Sequence, residues 1–325
     1  MDDALSSLLH GVRPRGAIFN QSVLDPPWGL RFLDRAPVSV LSALVGDAWI
    51  VPDDGDPVPL RRGDIAIVTG PEPYTVADSP GTPPQALVHG DDRCTTPEGA
   101  LVLGDLPWCG SDPLGGGPDG SGRSLDDPGA VLLKGSYQAG GSVSRRVLGA
   151  LPRIALVPSG PDDCPTLMMI EKEIARDVPG QQAVLDRLLD LLLVSSLREW
   201  FELPGAHAPA WYSAHADPVV GRALKLIHGD PARPWTVGAL AAEAGASRAR
   251  FARRFTDLVG QSPMAYLTEW RICWAADLLA TTDATVDAVS HRVGYANAYA
   301  LSVAFKRTMG LRPTEHRALA RVPAA

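Results

Sequence analysis

Between residues 38 and 70 the chain reads VSVLSALVGDAWIVPDDGDPVPLRRGDIAIVTG, short Val, Ile, Leu and Trp runs broken by Gly, Asp and Pro. Turn residues recurring at roughly ten-residue spacing predict short strands of a sandwich or barrel. The same rhythm extends from residue 15 to about 160, with ALVLGDLPW and AVLLKGSY as further strands. Between those two lies GSDPLGGGPDGSGRSLDDPG, residues 110–129, a loop with little to bury. The pattern then changes period. In PGQQAVLDRLLDLLLVSSLREWFEL, Leu185, Leu188, Leu189, Leu192 and Leu193 fall at helical spacing. PGAHAPAWYSAHADP reads as a linker, and from Pro218 onward the pattern is helices and tight turns.

This last third repeats itself. TVGALAAEAG (236–245) returns as TVDAVSHRVG (285–294), and Phe255, Gly260 and Pro263 return as Phe305, Gly310 and Pro313. Two copies of helix, glycine turn and helix mark a duplicated helix-turn-helix. In each copy the glycine ends the first helix, because the reversal needs a backbone conformation that Gly reaches cheaply. Ser247 stands where it would cap the second helix of the first copy. Phe251 and Phe255, four apart, share a face directed at a core, which turns Ala249 and Arg253 outward with Arg250 to one side. In the second copy Leu301 and Phe305 take the core role and leave Tyr299 and Val303 outward, with Lys306 and Arg307 further along.

Charge sharpens this picture. The chain carries −7 overall, yet Arg248, Arg250, Arg253 and Arg254 crowd into seven residues. From Asp217 to the end the balance is +5, and before it −12. An acidic first part joined to a basic last third is expected when one end meets a polyanion. Arginine forks bond guanine edges or phosphates in a major groove wide enough for a helix, while Tyr and Val pack on thymine methyls and Lys306 and Arg307 suit phosphates. The first unit is therefore expected to carry base discrimination and the second to anchor. A nonspecific DNA-coating protein is the weaker reading, since +5 is too little for that role.

At these residues the segment from Asp230 to Arg317 resembles the DNA-binding domain of the AraC/XylS family of bacterial transcription regulators. The resemblance implies two helix-turn-helix units (236–259 and 285–309) joined by a long helix from Pro263 to about Leu279, entering successive major grooves ~34 Å apart. It places Ser247, Arg248, Arg250, Arg253, Arg254, Tyr299, Val303, Lys306 and Arg307 at the DNA. PPWGLRF, PLRRGDIAIV and GSYQAGGSVSRRVLGALP resemble the cupin-like sensory domain of one AraC subfamily. The expected architecture is α+β multidomain: a cupin-like β-barrel with covering helices (1–203), a linker (204–217) and an all-α double helix-turn-helix domain (218–325).

Residues 1–200 hold only His10 and His89 and no HxH, so a metal-dependent cupin enzyme is disfavoured, and no cofactor is expected. The barrel reads instead as a sensor of a small-molecule effector. Trp28, Arg31, Tyr74 and His89 are its candidate lining, set against Trp28 as core and the others as rim or turn residues. Four widely spaced cysteines without a CxxC pair read as free thiols; the alternative is oxidant sensing at Cys94 and Cys109. The Gln181–Glu202 helix is a candidate homodimer surface or a cover for the barrel, and RNA polymerase is a candidate partner. No apolar run approaches the ~18–20 residues of a membrane span, and MDDALSSLLHGVRPRG lacks a signal-peptide pattern, so the expectation is a cytoplasmic protein without membrane contact.

Overall fold

The computed structural model describes residues 18–90, 93–100, 130–137, 141–160, 164–174, 176 and 178–320. They fall into two compact units. One comprises residues 18–137 and 151–206, the other residues 141–150 and 207–320. The predicted loop 110–129, and all of the strand expected in ALVLGDLPW except Ala100, lie outside the described residues.

The first unit is two facing sheets. β1 (Ile18–Leu24), β10 (Ala130–Tyr137), β3 (Val38–Val45), β6 (Ile65–Thr69) and β11 (Ile154–Val157) form one, in that spatial order. The other runs β5 (Val58–Leu60), β4 (Ala48–Pro52), β7 (Tyr74–Ala77), β2 (Gly29–Phe32), β8 (Ala86–Val88) and β9 (Cys94–Thr95). Leu41, Ala66, Val68 and Leu132 of the first sheet meet Leu30, Phe32, Ile50, Tyr74 and Val76 of the second in one core.

Period-2 alternation decides which strands look amphipathic. Ala48, Ile50 and Pro52 of β4 point inward while Trp49 and Val51 are half-buried, because this strand packs one face in the core and leaves the other partly open. β10 is buried at every position. Its even residues enter the sandwich, and its other face meets a helix: a side chain on Gly135 would stand 3.1 Å from Leu189 Cδ2. That helix is α3 (Gln181–Glu202), packed beside α2 (Pro165–Ile174) and over β6 and β11. Leu185, Leu189, Leu192, Leu193 and Leu197 are buried, so the leucine stripe is spent on covering the sheet within one chain. The dimer reading of this stripe gives way to the covering-helix reading. Large apolar side chains on α3 that stay exposed are Val184 and Leu191.

The second unit is helical. It contains α1 (Ser142–Leu148), α4 (Ala210–Ser213), a 3-10 turn (Ala214–Ala216), α5 (Val220–Gly229), α6 (Val237–Glu243), α7 (Arg248–Val259), α8 (Pro263–Thr281), α9 (Val286–Arg292), α10 (Ala298–Met309) and α11 (Pro313–Ala320). Residues 210–216, expected as linker, are helical here, with Trp211 and Ala214 buried against the bundle. Among the described residues no helix is long and apolar enough to cross a membrane.

Candidate nucleic-acid interface

Short-range chemistry sets the helix starts and turns of each helix-turn-helix unit. Thr236 Oγ1 accepts from Ala239 N at 3.1 Å and Thr285 Oγ1 from Ala288 N at 3.1 Å, capping the first helix of each copy. Gly245 (φ 71°) and Gly294 (φ 82°) end those helices in the left-handed region that disfavours side chains. At Gly294 a Cβ would also stand 2.6 Å from the Ala232 carbonyl oxygen, so that position is closed to any side chain. Asn297 Oδ1 accepts from Ala300 N at 2.9 Å to start α10. Ser247 occupies the matching place before α7 in extended backbone, but its side chain makes no cap bond. The capping role expected of Ser247 is thus not used, and its hydroxyl stays exposed.

Packing then orients the second helix of each unit. Phe251 and Phe255 of α7 are 0% exposed, their rings 5.7 Å apart, and Phe255 meets Tyr266 of α8 at 5.9 Å. Tyr266 is anchored in turn by His228 Nε2, 2.8 Å from its hydroxyl. Burying two phenylalanines stabilises this orientation by roughly 3–6 kcal/mol, enough to decide which face looks out. The opposite face carries Ala249 and Arg253, with Arg250 to one side, while Ser247 and Arg248 stand at the start of the helix; all five are exposed. Among the described residues neither Arg250 nor Arg253 pairs with a carboxylate. In the second unit Leu301 and Phe305 are 0% exposed within the core that holds Ile272, Leu279 and Val289. Tyr299 is 79% and Val303 52% exposed, and Lys306 and Arg307 are also exposed.

Arg254 departs from the sequence reading. Its Nε donates to Asp217 Oδ2 at 2.7 Å, and its Nη2 bonds the same oxygen. Asp217 Oδ1 meanwhile accepts from Val219 N and Val220 N at 3.0 and 2.9 Å, starting α5. The guanidinium therefore locks α7 to the start of α5 instead of being presented for reading. The helix wheel places Arg254 beside Arg253 but carries no information on a carboxylate 37 residues upstream. Hydrogen bonds from Arg254, then from the two amides, hold the Asp217 carboxyl down at about 2 against some desolvation. A carboxyl depressed in the folded state contributes stability that is complete above its unfolded value near 3.9 and is lost as pH falls through about 2. Acid titration of the wild type is expected to lose this contribution between about pH 5 and pH 1, whereas Asp217→Asn has it missing already at pH 7 and unfolds with a shallower acid slope. Equal acid slopes by circular dichroism would contradict the lock.

Sequence reasoning also missed Arg271. Its Nε donates to the Pro231 carbonyl at 2.7 Å and its Nη2 to the Arg233 carbonyl at 2.8 Å, hooking α8 to the turn before the first unit. Nothing in residue spacing marks a contact of that range.

The sensory candidates do not converge. Trp28 and Tyr74 lie in the sandwich core, 1% and 4% exposed. Arg31 is on the opposite side of β2, bound to Asp53 through both nitrogens at 2.8 and 2.7 Å, and His89 Nε2 is 3.0 Å from Thr95 Oγ1. Strand alternation separates them: Leu30 and Phe32 point in, so Arg31 points out. The polar cluster inside the sandwich is a different one. Lys134, 3% exposed, bonds Asp34 Oδ2 and Ser136 Oγ, each at 2.5 Å, beneath the Phe32 ring at 4.5 Å. Burial pushes the Asp34 carboxyl up, but the Lys134 ammonium and the bonds from Lys134 and Ser136 outweigh it and hold the group below the usual range. Burial raises the Tyr74 phenol well above its ordinary value.

The thiols need a correction. Cys164 and Cys273 are free, but Cys94 is disulfide-bonded and 5% exposed, so it does not present the accessible thiol an oxidant sensor requires. Cys109 lies outside the described residues.

Residues 3–202 match the cupin family and residues 240–318 a helix-turn-helix domain family. Over 97% of this chain, and 98% of its own length, an AraC-like transcription regulator of Streptomyces lividans is 32% identical. The chain belongs to the AraC-like transcription regulators. A second member, from Streptomyces antibioticus, is 30% identical over the same shares. The solved DNA-binding domain of AdpA in complex with a target DNA is 35% identical, spanning 34% of this chain and all of that one, with a TM-score of 0.31. This regulator thus joins a cupin-like ligand-binding region to a DNA-binding helix-turn-helix region.

Proposed function

We propose that the regulator reads two successive major grooves with unequal chemistry. Arg250 and Arg253 bond guanine edges from α7; Tyr299 and Val303 pack on thymine methyls from α10; Ser247, Arg248, Lys306 and Arg307 hold phosphates. Arg254 acts from behind, through Asp217. The observation that carries this reading is the pairing of Arg250 and Arg253, exposed and without a carboxylate partner among the described residues, with fully buried Phe251 and Phe255 on one helix. Its first unit discriminates bases and its second mainly anchors.

The sandwich serves as sensor for a small-molecule effector, with the Lys134–Asp34–Ser136 cluster and Tyr74 as its interior polar groups. Its action is regulatory, not enzymatic, in keeping with relatives that are transcription regulators, and it takes place in the cytoplasm with RNA polymerase as a further partner. A homodimer is supported by Val184 and Leu191, exposed on the outer face of α3 one heptad apart. Binding-site selection from random duplexes, run beside sedimentation at micromolar concentration, tests the whole reading. The expected product is, for each protomer of the dimer, two blocks about one helical turn apart, one containing guanine and the other thymine. A single block, or a sequence-independent pool, contradicts the two-groove reading, and a monomer at every concentration contradicts the dimer.

A further inference from the structure

After Tyr137 the chain leaves the five-stranded sheet, and it rejoins it at Ile154. In between, α1 packs on the central helix α8 and belongs to the helical unit. Arg146 Nη1 lies 2.8 Å from Glu269 Oε2, and its guanidinium sits 5.0 Å from the centre of the Tyr266 ring. Ser142 N donates to Asp277 Oδ1. Val147 and Leu148 are 1% and 7% exposed, so α1 is seated by apolar burial as well as by charge.

The seat is the stretch of α8 that separates the two reading helices. Glu269 and Asp277 are eight residues apart, ~12 Å along a helix. At one end, Tyr266 meets Phe255 of α7. At the other, Ala276 and Leu278 flank Asp277 in the core that holds Leu301 and Phe305 of α10. A pocket of about 440 Å³ between them is lined by Ser142, Arg146, Glu269, Cys273, Thr308 and Met309, which brings α1 to the C-terminal end of α10 as well. With α1 seated, Arg250, Arg253, Tyr299 and Val303 all remain exposed. The segment does not cover the reading surface; it grips the spacer behind it.

We propose that Arg146 is a positioning residue: with Ser142 it docks α1 as a brace on α8 that fixes the separation and angle of the two recognition helices and so sets the spacing between the two blocks of the DNA site. The proposal rests on the two-groove reading above. Both ends of the brace continue by peptide bonds into strands of the sensory sheet, giving that sheet a covalent handle on DNA geometry.

A charge exchange in the full-length chain tests it. Arg146→Glu and Glu269→Arg each break the pair, and the double exchange restores it in reverse. The wild type is expected to select one spacing and to prefer it by about tenfold over a site lengthened by two base pairs. Each single variant should lose most of that preference while still choosing the same bases in each block, and the double variant should regain it. Arg146→Gln, which keeps the side-chain stem, gives the same reading should a reversed charge prevent folding. Amide exchange over residues 142–148 is read in parallel and should accelerate in the single variants alone. Released amides with unchanged spacing preference would overturn the brace, and so would unchanged protection in the single variants. A wild type that selects only one block would instead overturn the two-groove reading and leave the seating of α1 to be judged by exchange alone.

Discussion

Replacing Arg250 and Arg253 together by alanine is expected to weaken binding to the selected site by roughly two orders of magnitude or more, since each bidentate guanine contact is worth about 1–3 kcal/mol. Binding to a scrambled duplex should fall far less, because the phosphate-directed side chains Arg248, Lys306 and Arg307 remain. The fold should tolerate the change. Both side chains are exposed and make no carboxylate pair among the described residues, and alanine is at least as good a helix former as arginine. Tyr299→Ala and Val303→Ala should cost less, since a contact with a thymine methyl carries no fork of hydrogen bonds. Equilibrium titrations against the two duplexes at several salt concentrations separate these terms. Equal losses on both duplexes would make the two arginines phosphate contacts and remove the guanine assignment.

Lys134→Met is expected to have the largest effect on stability. The Lys134 ammonium is buried in the sandwich and neutralises Asp34, whose side chain is itself only 8% exposed. Methionine fills a similar volume but leaves a buried carboxylate with Ser136 as its remaining side-chain partner. Removing one member of such a pair costs about 3–5 kcal/mol, a large part of the stability of a domain this size. The uncompensated carboxyl should also titrate higher, so the variant is expected to be less unstable near pH 5 than at pH 8, where the charge must be carried into the core. Replacing both partners, as in Lys134→Met with Asp34→Leu, removes the buried charge and should recover much of the loss. Denaturant unfolding of the two variants and the wild type checks the order. A single variant as stable as the wild type would show that water reaches Asp34.

What could be read without coordinates followed from local rules. Turn residues at short intervals marked the strands from Val38 to Thr69, and period-2 alternation explains β4 as it stands. The duplicated glycines at 245 and 294 announced two turns because a left-handed backbone is a property of one residue and its neighbours. Phe251, Phe255, Leu301 and Phe305 could be assigned to a core by helical spacing alone, and their burial turns the opposite positions outward. The effector candidates were the weak point. Trp28, Arg31, Tyr74 and His89 were gathered by residue type, and residue type does not say which strands become neighbours.

The amino-acid order by itself therefore determined the periodic part of this protein: a strand-rich region, a duplicated helix pair, and a helix whose aromatic face forces its arginines into water. Only the tertiary structure decided which charges are engaged. Arg254 was diverted to Asp217, Arg146 was brought to Glu269, and Lys134 was enclosed with Asp34. Leu185, Leu189, Leu192, Leu193 and Leu197 of α3 were likewise buried on the sheet side within one chain. The reason is range. Turn geometry and hydrophobic period act over a few residues, whereas an ion pair joins positions separated by as many as 123 residues and exists only once the chain between them has closed.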